Sequence, residues 1–183
     1  MTNPLFTGSP LTEELFSDFI TRLKHDCKGE GLADHCTADV IFLVEQKEFL
    51  YGIDTEYAQN LAVCCDDSYY HSVIDFMAVY RKNWIEKLDE LSQQFHGKPF
   101  DEIDEFEQFS TIGEVDGFSV SGYHEHWTLV NSHFTQSSAD AFVLKHGHKY
   151  DGELRISQEG QYRSFEFNAI KNALLSGNLV WKD

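Results

Sequence analysis

The chain has 183 residues, 42% of them hydrophobic and 14% aromatic, with 31 Asp and Glu against 14 Lys and Arg, for a net charge of −17. Disorder needs low hydrophobicity together with high charge, so a disordered acidic tail is excluded and a folded body with a negative surface is expected. Such a surface repels nucleic acid and attracts basic proteins, and no apolar run nears the roughly 18 residues of a membrane span, so neither direct nucleic-acid binding nor a membrane partner is expected.

Residues 1–10, with Pro4, Gly8 and Pro10, read as a flexible N-terminal arm lacking the basic region and apolar core of a signal peptide. Residues 11–183 read as one α+β domain. A helix is predicted over 11–28, with Thr12 as N-cap, a Leu11–Phe16 staple and a stripe of Leu15, Phe16, Phe19, Ile20 and Leu23. Residues 38–46 read as a strand, and the nearly continuous apolar run from Val40 to Val44 suggests that it is buried on both faces. A second strand over 48–53 follows, and the short Glu45-Gln46-Lys47 link predicts a hairpin between them. Residues 60–65 read as a third strand, closed by the turn signal Asp66-Asp67-Ser68.

From 72 to 95 the spacing of Phe76, Met77, Tyr80, Trp84, Leu88 and Leu91 predicts a helix, stopped by Gly97 and Pro99. Residues 100–109 form an acidic knot whose apolar members Phe100, Ile103, Phe106 and Phe109 recur every third position. That period predicts a short helical or 3₁₀ turn with one apolar seam. A strand is predicted at 118–120, a strand or a packed connection over 123–134, a helix at 137–146, a short strand at 154–156, and a last helix at 165–175 with Phe167, Ile170 and Leu174 on one face. The expected architecture is a single compact α+β domain, a small, mostly antiparallel sheet packed with about four helices.

The charge is uneven. Residues 89–116 hold nine acids and one base, net −8, whereas residues 145–183 are net +1. Asp101, Glu102, Asp104, Glu105 and Glu107 supply five carboxylates within seven positions, with Asp89, Glu90, Glu114 and Asp116 nearby. Carboxylates on a rigid face can occupy Arg and Lys sites that otherwise hold a nucleic-acid backbone, which carries one charge per about 1.7 Å of duplex axis. Asp101, Glu102, Asp104, Glu105, Glu107, Glu114 and Asp116 are therefore the candidate partner-binding residues. The competing explanation is that acidity only keeps the protein soluble. No loop alternates Asp around a central Gly, so no calcium site is predicted, and no cofactor is expected.

Three other constellations carry chemistry. His124 and His126 flank Glu125, with His133 seven positions on, and His146 and His148 form a second pair. On a strand, each pair would share a face and could contribute to a zinc site, although neither has the spacing of helix-borne ligands. His35-Cys36 invites a thiol-nucleophile reading, but an extended backbone points neighbouring side chains apart, so a distant base such as His71 would have to serve. Arg155 and the Tyr162-Arg163 pair could hold an anion, or could pack with cation–π contacts. The four cysteines, Cys27, Cys36, Cys64 and Cys65, lack the spacing of a secreted framework and are expected as reduced thiols in a cytoplasmic protein.

Two stretches carry a family resemblance. One is His35-Cys36-Thr37-Ala38-Asp39 with Phe42-Leu43-Val44 and Tyr51-Gly52-Ile53-Asp54. The other runs from Trp127 through His133-Phe134-Thr135, Gly147-His148, Leu154-Arg155-Ile156 and Tyr162-Arg163 to Phe165-Glu166-Phe167. Together they resemble a family of uncharacterised proteins carried by phages, plasmids and integrative elements. The chain departs from the pattern at Val40, where similar proteins often have proline, and at Lys149, where they often have asparagine. The resemblance implies a mobile-element context, in which accessory proteins often inhibit host defence, and assigns no catalytic residue.

The expected function is that of an acidic mobile-element accessory protein, more a binder than an enzyme. It would bind a basic nucleic-acid-binding surface of a host protein, such as a nuclease, and inhibit it in the manner of a DNA mimic. One alternative is a small metal- or His-dependent hydrolase built on His124, His126 and His133. Another is a structural or regulatory accessory protein, as a monomer or a homodimer, whose acidity is incidental.

Overall fold

Apolar residues at spacings of two and of three to four become strands and helices in turn. The computed structural model describes residues 10–34 and 39–182. In chain order the elements are α1 (Glu13–Lys28), β1 (Val40–Ile53), β2 (Asn60–Cys65), β3 (Ser68–Tyr70), α2 (Val73–His96), α3 (Glu105–Gly113), β4 (Ser119–His133), α4 (Gln136–His146), β5 (Leu154–Gly160) and α5 (Phe165–Ser176). Short 3₁₀ turns cover Glu30–Asp34, Phe100–Glu102 and Gly147–Lys149. The fold is α+β, and the strands form an antiparallel sheet in the order β3-β2-β4-β1-β5. Contacts group the chain into two compact units, Met1–Glu48 with Trp127–Asp183, and Phe49–His126. Their boundaries fall inside the long strands β1 and β4. Residues 1–9 of the expected arm lie outside the described residues.

Several local expectations are corrected. No hairpin interrupts residues 45–47, because β1 runs straight through them and pairs with β5, Glu45 opposite Arg155 and Gln46 opposite Leu154. A tight hairpin turn needs residues that accept positive φ, and Glu-Gln-Lys offers none. The run from Val40 to Val44 is not buried on both faces. Val40, Phe42 and Val44 are fully enclosed, while Ile41 and Leu43 are half-buried. Residues 119–133 form one strand, not two pieces. The hairpin turn comes instead at Asp66 and Asp67, both at positive φ, joining β2 to the unforeseen β3. Five α-helices are present among the described residues.

In the unit of residues 49–126, α2 presents Val73, Phe76, Met77 and Leu88 to β2 and α3. Phe100, Ile103, Phe109, Ile112 and Val115 close the same core. The Ser72 hydroxyl caps α2 by accepting the Asp75 N–H at 3.1 Å. Gly97, at φ 70°, ends it in a left-handed conformation that costs glycine least. The next segment is pinned at Phe100, whose N–H donates to the Asp89 carboxylate at 2.8 Å and whose carbonyl accepts from the Gln108 amide at 2.9 Å.

The unit of residues 1–48 and 127–183 has two apolar clusters. Leu23 and Cys27 of α1 pack against Leu174 and Leu175 of α5. Val40, Phe42 and Val44 of β1 pack against Ala139 of α4. The buried face of α5 differs from expectation: Ile170 is exposed, and the next position, Lys171, is enclosed instead. Its ammonium pairs with Asp39 Oδ1 at 2.6 Å, which offsets the desolvation of a buried charge. Among the described residues no helix is long and apolar enough to cross a membrane.

Candidate functional site

The acidic segment divides by role. Asp101 is held by the Arg81 guanidinium, which donates to both of its oxygens and keeps its carboxyl below the ordinary aspartate value. Asp104 is the N-cap of α3. Its Oδ1 accepts the Glu107 N–H at 2.9 Å, and Glu107 Oε2 accepts the Asp104 N–H at 3.2 Å, completing a reciprocal capping box. The second Glu107 oxygen lies 3.5 Å from His96 Nδ1. Three of the seven candidate acids thus serve local structure.

Glu102, Glu105, Glu114 and Asp116 are exposed, and among the described residues none forms an ion pair or a side-chain hydrogen bond. Glu114 occupies the C-cap of α3, where the negative end of the helix dipole disfavours a carboxylate. Local helix energetics therefore do not explain it. The unit of residues 49–126 carries sixteen acidic and four basic side chains, net −12. Arg81 and Lys87 are already committed to Asp101 and Glu90.

The expected seam of Phe100, Ile103, Phe106 and Phe109 breaks at Phe106, which is 63% exposed while the other three are buried. The 3₁₀ turn ends at Ile103, in extended backbone, and α3 restarts the periodicity at Glu105. In its first turn, Phe106 lies at the rim of a cleft of about 250 Å³. Glu105, Gln59, Asn60, His71 and Tyr123 also line this cleft. One wall is the 54–59 loop, seated so closely on β4 that a Cβ at Gly122 would fall 2.3 Å from the Ala58 Cβ.

Behind the cleft stands an aromatic cluster that sequence reading missed. Tyr51 and Tyr69 stack with centroids 3.7 Å apart, the Tyr51 hydroxyl and His71 Nε2 share a 2.6 Å hydrogen bond, and Tyr123 lies 4.8 Å from the His71 ring. Burial, with Tyr69 and Tyr123 close by, pushes the Tyr51 phenol up, so it stays neutral at neutral pH. The signal was present as Phe49 and Tyr51 on β1 and Tyr69 and His71 beside β2, both at the strand period of two.

His124, Glu125 and His126 are all exposed on β4, and His133 belongs to the other unit. Burial lowers the pKa of His133, and its Nε2 is enclosed with no hydrogen-bond partner among the described residues. His146 ends α4 and His148 sits in a 3₁₀ turn, so the strand geometry assumed for that pair does not exist. Among the described residues no group of three or more His, Cys, Asp or Glu side chains could hold a metal ion. His35 and Cys36 lie outside the described residues.

Arg155 stacks 4.0 Å from the Trp127 ring and donates to Glu45 at 2.9 Å, while Arg163 lies 5.7 Å from the Tyr162 ring. In the same unit a cleft of about 300 Å³ is lined by Arg22, His25, Asp26, Asp34 and Asp140. Two of its groups are engaged: Asp26 accepts the Gln136 N–H at 2.9 Å, and Arg22 donates to Thr135 at 2.7 Å and Ser138 at 2.9 Å. Comparison with protein-family models, with curated proteins and with solved structures finds no match.

Proposed function

We propose that the protein is an acidic inhibitor that occupies a basic, nucleic-acid-binding surface of another protein, such as a nuclease, and denies nucleic acid access to it. The observation that carries this reading is the set Glu102, Glu105, Glu114 and Asp116, four exposed carboxylates with no ion pair or side-chain hydrogen bond among the described residues. Such groups are available to an Arg- or Lys-lined groove as substitutes for phosphates. Asp101, Asp104 and Glu107 hold the backbone that displays them. The resemblance to proteins of phages, plasmids and integrative elements favours a host-defence or DNA-processing target. In this reading the protein works in the cytoplasm, and the free thiols of Cys27, Cys64 and Cys65 support a reducing compartment.

The test is capture from host lysate on the immobilised protein, with elution by rising salt. DNA-binding proteins are expected to be retained at about 50 mM NaCl, released by about 500 mM, and displaced by duplex DNA. The quadruple variant Glu102→Lys/Glu105→Lys/Glu114→Lys/Asp116→Lys is expected to retain none of them. Equal capture by the variant would reject the reading.

A further inference from the structure

We propose that the cleft between Glu105 and Tyr123 is an anchor pocket for a single arginine side chain of the basic partner. This deepens the reading above and rests on it. The cleft, of about 250 Å³, combines three elements of guanidinium recognition within one unit. Glu105 is an exposed carboxylate with no ion pair among the described residues. Phe106 and Tyr123 supply aromatic surface, against which a planar cation gains from the ring quadrupole. Gln59 and Asn60 add amide carbonyls that can accept N–H groups at the rim.

Charge and shape argue for this occupant together. A unit of net −12 disfavours an anionic ligand. A purely apolar occupant would desolvate Glu105 without a partner. Arginine offers a flat face for Phe106 and a fork of donors for the carboxylate, whereas lysine offers only a point charge. The 63% exposure of Phe106, on a helix whose later residues Phe109 and Ile112 are buried, is accounted for by such a contact. In free protein the ring is a large apolar surface facing water beside a carboxylate.

The experiment uses the full ¹⁵N-labelled chain titrated with acetyl-Gly-Arg-Gly-amide, with acetyl-Gly-citrulline-Gly-amide as the uncharged isostere and inorganic phosphate as the anion. The arginine peptide is expected to shift the backbone amides of Asn60, Phe106 and Tyr123 saturably, and citrulline and phosphate to leave them in place. Glu105→Gln is expected to weaken the apparent affinity about threefold to fivefold, and Phe106→Ala about twofold to fivefold. Both side chains are exposed, so an otherwise unchanged amide spectrum verifies that each variant folds. Equal shifts from citrulline, or saturable shifts from phosphate, would overturn the assignment. The double variant Glu114→Lys/Asp116→Lys separates the two readings. It should leave the peptide shifts intact while reducing capture of the basic partner. Persistent salt-sensitive capture by the wild type with no peptide shift rejects the pocket and leaves the acidic surface standing. Peptide shifts without any capture reject the surface reading instead.

Discussion

At the scale of single residues, charge serves different ends in different places. Lys171 has a side chain only 1% exposed, yet its ammonium is 2.6 Å from Asp39. A buried ion pair is not by itself a source of stability, because desolvation offsets the attraction. Removing one partner is far worse than replacing the lysine with an apolar side chain of similar volume. Lys171→Met is therefore expected to leave chemical-denaturation stability within about 1 kcal/mol of wild type, and Asp39→Asn to lower it by about 3 kcal/mol. If Lys171→Met proves the more damaging substitution, the pair is a net stabiliser and the ammonium has further roles. Glu102, Glu114 and Asp116 near α3 contrast with this pair, since among the described residues no cation pairs with them.

At the scale of elements, the acidic knot mixes structural and available acids, which substitution can separate. Asp104→Ala removes the side-chain acceptor for the Glu107 N–H and is expected to cost about 1 kcal/mol, read from a urea melt. Asp104→Asn removes the charge but keeps a capping oxygen, so its melt should overlay wild type. A loss as large for Asn as for Ala would assign the effect to charge. The same segment shows what sequence patterning can and cannot reveal. The α2 stripe of Phe76, Met77, Tyr80, Trp84 and Leu88 was legible because one helix buries one continuous face. The three-residue period from Phe100 to Phe109 was legible as helical, but not its break at Asp104. The cap converts one seam into a 3₁₀ turn and a separate helix, leaving Phe106 outside the core. The continuity of β1 through Glu45-Gln46-Lys47 was hidden because polar residues there resemble a turn, and only pairing with β5 shows otherwise. The acids of the candidate surface were readable from charge density. The cleft beside them was not, because Gln59, His71, Glu105 and Tyr123 are brought together only by tertiary contacts.

At the scale of the whole molecule, net charge sets stability and binding against each other. A charge of −17 repels itself in the folded state more than in the expanded chain, and the strongest contribution comes from residues 49–126 at net −12. Added salt screens this repulsion, with a Debye length of about 10 Å at 0.1 M and about 3 Å at 1 M. The melting temperature is thus expected to rise between about 10 mM and about 500 mM NaCl, over the range in which partner binding weakens. The triple variant Glu102→Gln/Glu114→Gln/Asp116→Asn should melt higher than wild type at low salt and respond less to added salt. Glu105 is left intact in it because an acid in the first turn of α3 favours the helix. Glu114 should contribute most of the gain, as its charge lies at the disfavoured end of that helix. Calorimetry at the two salt concentrations reads both effects. If the variant is less stable at low salt, these carboxylates support the fold, and their availability to a basic partner loses its physical basis. If it is more stable and no longer binds, the acids are a stability cost retained for recognition.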